Sequence, residues 1–435
     1  MGSAPGNGAG WQAPGRLSHG RGANISHAAE HNRHLILHEI RASSGVDRTS
    51  LAKITGLTAP AVFKIVTDLV DEGLIVSTRI REGARGQPRS VLTINPHAAY
   101  SLGLNVDRDR LCLVALDYAG VVRVRLHQEA NMASPEDARN FVDRCIGTIR
   151  AKQLFPLHKV VAVGLSMPDD YLRVGGREIQ ASWSDADWAE AFRALNHLPI
   201  VRENDAAAAS IGEMKFGAGL KAPTFFYVYI SVGLGGGLVV NRQYIRGRHG
   251  RSGELGYIPQ VNPFRQRKTS LGKTVEEVVS LRGLTQTLGL DDKGADITTG
   301  LNNAWERGDP RLADWIEEAS ELLYLPLLSV LCTMDPDAIF VGGRLPAPLI
   351  DRLCLNVSRR LSLNVGIHWP EMIVRPGRLA EDTAAVGAAI LALSSMWDPR
   401  ENDPPPVGTI ERLTANTGSL VDSKRRSGPL FCRAV

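Results

Sequence analysis

The sequence predicts a mixed α/β protein in which a small helical head precedes two lobes of strands and helices. Three observations carry this expectation. Apolar residues recur at helix spacing between residues 28 and 70, the period changes to that of strands from Tyr100, and strand–helix alternation then runs twice through the rest of the chain. A length of 435 residues exceeds one ordinary core and leaves room for more than one folding unit.

Composition narrows the class. No run of about eighteen apolar residues occurs, and the N-terminus lacks the apolar core of a signal peptide, so a cytoplasmic protein with no membrane partner is expected. The five cysteines, Cys112, Cys145, Cys332, Cys354 and Cys432, are scattered singly, which argues against a disulfide framework or a cysteine-built zinc site and for buried thiols. A net charge of +4 permits a nucleic-acid partner without requiring one. Residues 1–27 and 398–435 read as disordered tails, the second carrying Pro404-Pro405-Pro406 and the basic run Lys424-Arg425-Arg426.

The head is expected over residues 28–97. Leu35, Ile36, Leu37 and Ile40 recur at helix spacing, and a short helix from Arg48 ends at Gly56. Thr58 is placed to cap the next helix, Pro60 falls in its first turn, and Val62, Ile65, Val66, Leu69 and Val70 form its apolar stripe. Two short helices about a tight glycine turn make a helix-turn-helix. Arg79, Arg81, Arg85 and Arg89, set around Gly83, Gly86 and Pro88, then read as a basic hairpin or wing. A helix fits the DNA major groove and presents its N-terminal outer face to base edges, which selects Thr58, Ala59, Ala61, Phe63 and Lys64, while Arg85 and Arg89 would meet phosphates or the minor groove. A three-helix protein-interaction module is the plainer alternative, and the arginine hairpin favours DNA.

Beyond the head, strands are expected at 102–106, 111–116 and 121–126, with Asp117-Tyr118-Ala119-Gly120 turning between the last two. Ser134-Pro135-Glu136-Asp137 opens a helix whose buried face is Ala138, Phe141, Val142, Cys145, Ile146 and Ile149. Strands at 160–165 and 200–202 and a helix from Asp205 complete the first lobe. The second takes strands at 225–232, 237–240 and 338–341, and helices near 274–288, 310–333, 346–362 and 382–396.

Glu203-Asn204-Asp205 runs a strand end into an alanine-rich helix. A carboxylate and an amide at a helix start suit hydroxyl recognition, because the dipole tolerates the anion; the plainer account is that one of them is only a helix cap.

Taken in order, the head, Val163-Gly164-Leu165-Ser166-Met167-Pro168, Glu203-Asn204-Asp205-Ala206, Gly233-Leu234-Gly235-Gly236-Gly237, Gly253-Glu254-Leu255-Gly256 and Val341-Gly342-Gly343-Arg344 resemble the ROK family of repressors, open reading frames and kinases, over about residues 29–396. The resemblance implies a two-lobed, actin-like sugar-kinase (ribonuclease H-like) fold over residues 100–397. In family kinases the aspartate of Glu-Asn-Asp takes the proton of the phosphorylated hydroxyl, which would make Asp205 the base and Asn204 a sugar ligand; Glu254 and Glu276 match sugar-binding glutamates. Glu276 could equally be a solvated helix residue.

The departures matter as much. Family kinases carry Asp-x-Gly-Gly-Thr after their first strand, where this chain reads Asn105-Val106-Asp107-Arg108-Asp109. Both glycines are gone, and two carboxylates would face the polyphosphate at a cost on the order of 1 kcal/mol each. No ATP or other cofactor is therefore expected, and Asp205 becomes a vestigial base that accepts a hydroxyl hydrogen bond. Family members with zinc have a histidine where Tyr257 stands and a cysteine-rich run where Arg265-Gln266-Arg267-Lys268 stands, so no metal is expected and Tyr257 becomes a candidate sugar contact. His249 is a lone histidine, not a ligand set.

These features together predict a DNA-binding regulator, a repressor of carbohydrate genes, that pairs as a homodimer or homotetramer on a double-stranded operator and senses a sugar or sugar phosphate. A sugar kinase with an attached DNA-binding head, and a regulator whose second domain is only a dimerisation scaffold, remain open alternatives.

Overall fold

A computed structural model describes residues 25–43, 45–80, 89–168, 173–174, 177–178, 185–195, 198–261, 273–290, 297–363, 373–379, 382–395 and 431–433. The head comprises α1 (Ile25–Ala42), α2 (Arg48–Thr55), α3 (Ala59–Asp71) and the antiparallel hairpin β1 (Ile75–Ile80) and β2 (Arg89–Ile94). Asp47 caps α2 by accepting from the Ser50 amide at 2.8 Å, and Gly56 ends it at φ 69°, a left-handed conformation that costs glycine nothing. Thr58 occupies the cap position of α3, but its side chain makes no capping bond. Ile36, Ile40, Leu51, Val62, Val66, Leu69 and Leu92 close one apolar core, and Val46 pairs with Leu92 of β2 in a single antiparallel bridge.

The first lobe follows: β3 (Tyr100–Val106), β4 (Arg110–Asp117), β5 (Val122–Glu129), α4 (Pro135–Ala151), β6 (Val160–Met167), the two-residue pair β7 (Arg173–Val174) and β8 (Arg177–Glu178), α5 (Asp185–Ala191), β9 (Ile200–Asn204) and α6 (Asp205–Phe216). The capping box expected at Ser134 is present, with Asp137 returning the bond. The second lobe holds β10 (Phe225–Ile230), β11 (Leu234–Val240), β12 (Gln243–Tyr244), α7 (Leu281–Leu288), α8 (Ile297–Glu306), α9 (Pro310–Met334), β13 (Ala338–Gly343), α10 (Ala347–Leu363), β14 (Val374–Pro376) and α11 (Thr383–Ser395), and β15 (Phe431–Arg433) ends the described chain.

Each lobe is built on a sheet that begins antiparallel and turns parallel. In the first, β4 pairs antiparallel with β3 and β5, and β3, β6 and β9 run parallel; in the second, β10 and β11 are antiparallel while β10, β13 and β14 are parallel. Two helices tie them together. α11 lies across β3 and β6 at glycines, where a Cβ on Gly103 or Gly164 would fall 2.0 or 1.9 Å from the carbonyl oxygens of Ala385 and Ala388. α6 packs on α11 and β11, and Gly387 approaches the Ala208 carbonyl so closely that a Cβ there would sit 1.9 Å from it. The alanine-rich sequence of α6 thus reflects burial on nearly every side.

Several expectations are corrected. The helix expected near 274–288 divides into a 3-10 turn at Val275–Glu277 and α7, because Ser280 starts a new helix by accepting from the Gly283 amide. β11 begins at Leu234, three residues before the expected start at Gly237. α8 was not anticipated, since only Leu301 and Ala304 of its polar sequence are buried. Cys332 is exposed, unlike Cys112, Cys145 and Cys354. The C-terminal segment is not tail throughout: β15 pairs antiparallel with β5, Cys432 opposite Leu126, satisfying an edge that would otherwise offer unpaired amides. The rest of that tail and the basic loop 81–88 lie outside the described residues. No helix among the described residues is long and apolar enough to cross a membrane.

Candidate functional site

The parallel strands end together. Register aligns Asn105 with Ser166 and Met167 with Asn204 in one sheet, and Ile230 with Gly343 in the other, so the loops after β3, β6, β9, β10 and β13 leave from carboxyl ends. In α/β sheets this is where ligands are bound.

Asn204 is the cap of α6. Its Oδ1 accepts from the amides of Ala206 (3.0 Å) and Ala207 (3.2 Å), and its Nδ2 makes no hydrogen bond among the described residues. Asp205, 7% exposed, accepts from the Ala206 amide at 2.7 Å. The plainer reading therefore holds for one half of the amide, while its donor half is available to a ligand. Glu203 is gripped by both terminal nitrogens of Arg246, with Nη1 2.9 Å from Oε1, and accepts from the Asn204 amide. Burial pushes the Tyr229 phenol well above its ordinary pKa, and the nearby Asp205 and Asp107 carboxylates add to the rise, so this β10 side chain connects the start of α6 with the hairpin after β3.

The glycine strand β11 is the hub. A Cβ on Gly235 would fall 2.9 Å from the Ala206 side chain, and one on Gly236 would fall 2.6 Å from the Gly253 carbonyl, so the start of α6 and the Gly253-Glu254-Leu255-Gly256 segment are drawn onto the same strand. Glu254 precedes a 3-10 turn, Leu255–Tyr257, and Tyr257 is 58% exposed. Glu276 accepts from the Leu234 amide at 3.0 Å and lies against Gly233 and Gly256. It is not a solvated helix residue; half-buried on the 3-10 turn, it fixes the glycine loop. Asn204, Asp205, Glu254, Tyr257 and Glu276, separated by up to 72 positions, are thus carried by elements in mutual contact.

The hairpin between β3 and β4 departs from the sequence-based expectation. Asn105 is spent internally, its Nδ2 donating to Ser166 Oγ at 3.1 Å and to the Ser166 carbonyl. Asp107 and Asp109 do not stand uncompensated. Arg344, from the turn after β13, places Nη1 3.0 Å from Asp107 Oδ2 and also pairs with Asp109. Burial opposes its charge, but Asp109 and Asp107 outweigh it and raise the guanidinium pKa above its ordinary value. Nearby, Asp382 at the start of α11 pairs with Arg110 and lies 3.6 Å from Arg125. The Gly342-Gly343-Arg344 motif is visible in the sequence, but nothing in it marks Arg344 as the partner of residues 235 and 237 positions away.

On the head, Thr58, Ala59, Phe63 and Lys64 are exposed, Phe63 to 61%, whereas Ala61 is half-buried and is therefore not on the outermost face. The Arg48 guanidinium lies 5.6 Å over the Phe63 ring. Arg85 falls outside the described residues, and of Arg89 only the backbone, opposite Ile80, is described. Among the described residues no group of His, Cys, Asp and Glu side chains could hold a metal, and the 262–272 segment lies outside them.

The ROK family model matches residues 122–395, more than half of the sequence. The chain belongs to the ROK family. Among curated ROK relatives, a xylose repressor from Bacillus subtilis is 24% identical over 84% of this chain and 96% of its own length, and a glucokinase from Streptomyces coelicolor is 26% identical over 70% and 98%. The crystal structure of a ROK family transcriptional regulator, a homologue of the E. coli MLC protein, covers 85% of this chain and 97% of its own with a TM-score of 0.60 at 20% identity, a likeness of fold.

Proposed function

We propose that this ROK protein is a sugar-responsive transcriptional repressor that does not phosphorylate its sugar. Residues 28–97 bind a double-stranded operator, and residues 100–397 bind a sugar or sugar derivative. The observation that carries the second half is Arg344: its guanidinium fills the space between Asp107 and Asp109, on the hairpin where a family kinase presents glycine amides to phosphate. A side chain there and a hairpin without glycine leave no close backbone approach for a polyphosphate.

The sugar is held by acceptors at the start of α6 and on the glycine-packed segment. Asp205 and Glu254 accept from hydroxyls, the Asn204 Nδ2 donates, Tyr257 covers, and Glu276 positions the loop. Charged acceptors reject ligands that lack the hydroxyl. In the head, α3 enters the major groove with Thr58, Ala59, Phe63 and Lys64 outermost, and Arg85 and Arg89 meet the backbone. The chain acts as a homodimer or homotetramer, because paired heads read half-sites one DNA turn apart. The relatives' names divide between repressor and glucokinase; the repressor match extends over more of this chain, as a head absent from the kinases would make it. Sugar acts by binding the DNA-competent and DNA-incompetent states with different affinity.

Two assays on the full chain test the reading. Gel shift should find sequence-selective, salt-sensitive DNA binding that one sugar changes. A coupled ATPase assay with hexoses, pentoses and N-acetylated sugars should find no turnover; turnover abolished by Asp205→Asn would establish the kinase instead.

A further inference from the structure

The residues assigned to the sugar come from both lobes, and one ion pair joins the segments that carry them. Asn204 ends β9 and Asp205 starts α6 in the first lobe, while Glu254 follows the loop 245–252, which leaves β12 in the second. Arg246, near the start of that loop, reaches back 43 positions to Glu203, the residue before Asn204, and holds both of its carboxylate oxygens. Among the described residues no other side chain of the loop makes a hydrogen bond or an ion pair with the first lobe.

The pair fixes geometry on both sides. In the first lobe the Glu203 side chain is 4% exposed, and its Oε1 also accepts from the Asn204 amide at 2.9 Å, so the carboxylate that Arg246 grips is itself tied to the backbone of a sugar ligand. A carboxylate buried this deeply needs its cation, because without one its charge is uncompensated. In the second lobe the Arg246 carbonyl accepts from the Ser252 amide at 3.3 Å, closing the loop on itself two residues before Glu254. Gly247 and Gly250, both at φ 71°, make its turns, and Gly253 lies on Gly236, where a Cβ would fall 2.6 Å from backbone. A shift of Arg246 is thus passed to Glu254 through one hydrogen bond and two residues.

We infer that Arg246 is a positioning residue: through Glu203 it fixes the spacing between Asn204 and Asp205 on one lobe and Glu254 on the other before any sugar arrives. The inference rests on the sugar-sensor reading and deepens it, since a side chain spent on Glu203 rather than on sugar then sets the sugar affinity. A site preorganised in this way binds more tightly because less ordering is left for the ligand to bring about.

Two measurements on the full chain test it, the first without sugar. Arg248, His249 and Arg251 are exposed, so trypsin can reach the loop, and cleavage after Arg248 and Arg251, mapped by mass spectrometry, reports how often the loop opens. Glu203→Gln should raise that rate by about fivefold or more. Arg246→Lys, which keeps the charge but loses the two-pronged grip, should fall between wild type and Glu203→Gln.

The second is calorimetric titration with xylose, glucose, N-acetylglucosamine and glucose 6-phosphate. For a sugar that binds the wild type, Glu203→Gln and Arg246→Met should each lower affinity by about tenfold, and Arg246→Lys by less. The double variant Glu203→Gln with Arg246→Met should bind no worse than the weaker of the two singles, because only one pair is removed. The Arg246 side chain is 41% exposed, so its variants keep the test decisive if Glu203→Gln fails to fold. The inference is overturned if Glu203→Gln and Arg246→Lys are cut in the loop at the wild-type rate, if a sugar binds the wild type and both single variants equally, or if the two losses simply add. If none of the four sugars binds the wild type, the sensor reading itself fails and the inference falls with it.

Discussion

Arg344 Nη1 lies 3.0 Å from Asp107 Oδ2, with both side chains almost completely buried, and so joins the turn after β13 in one lobe to the hairpin after β3 in the other. Removing one partner of a buried pair leaves the other charge uncompensated. Arg344→Met should therefore destabilise the protein by about 3–5 kcal/mol in urea unfolding, whereas the double change Arg344→Met with Asp107→Asn should recover part of that loss. Neither should bring ATP turnover, because the hairpin still lacks its glycines.

Asp382 provides a pH test. Burial alone would raise its pKa, but Arg110, Arg125 and Arg344 outweigh burial and hold it below the ordinary carboxylate range. A carboxylate depressed in the folded state contributes stability above its unfolded pKa, about 3.9, and loses it as pH falls through the lower folded value. Asp382→Asn should cost about 3–5 kcal/mol near neutral pH, and the gap to wild type should close below roughly pH 4. A constant gap across that window would rule out this ion-pair account.

Phe63→Ala and Lys64→Ala separate two kinds of DNA contact. Both positions are exposed, so each change should alter folding stability by less than about 0.5 kcal/mol. Phe63→Ala should cost about 1–3 kcal/mol on the operator and little elsewhere, and should leave the salt slope unchanged; Lys64→Ala should cost about as much on the operator and, because it also removes a positive charge, lower the salt slope by about one. Titrations at several salt concentrations distinguish them.

Sugar recognition and DNA binding should come apart at Asp205. Asp205→Asn removes a charged acceptor, so sugar affinity should fall by about tenfold to a hundredfold while operator affinity without sugar stays within about twofold. Calorimetry against the effector and gel shift on the same preparation check both halves.

Gly164→Ala tests the packing of α11. The added Cβ would stand 1.9 Å from the Ala388 carbonyl, where backbone cannot yield cheaply, so the change should cost at least about 1–3 kcal/mol in urea unfolding.

The sequence by itself determined the order and approximate bounds of the longer strands and of most long helices, because helix and strand periods, caps such as Ser134 and stops such as Gly56 are local signals. It also marked Asn204, Asp205, Glu254 and Glu276, each within a short motif. It could not see the glycines of β11 as packing necessities, nor β15 as the edge cover of β5, nor the division at Ser280, because each depends on a neighbour far along the chain or on one short hydrogen bond. Tertiary structure alone decided the electrostatics. Asp107 and Asp109 read as two uncompensated acids until the fold brings Arg344 onto them from 237 and 235 positions away, and only the fold shows that Arg246, 43 positions on, grips Glu203. Charges interact through space and burial, and neither distance nor burial is written along the chain.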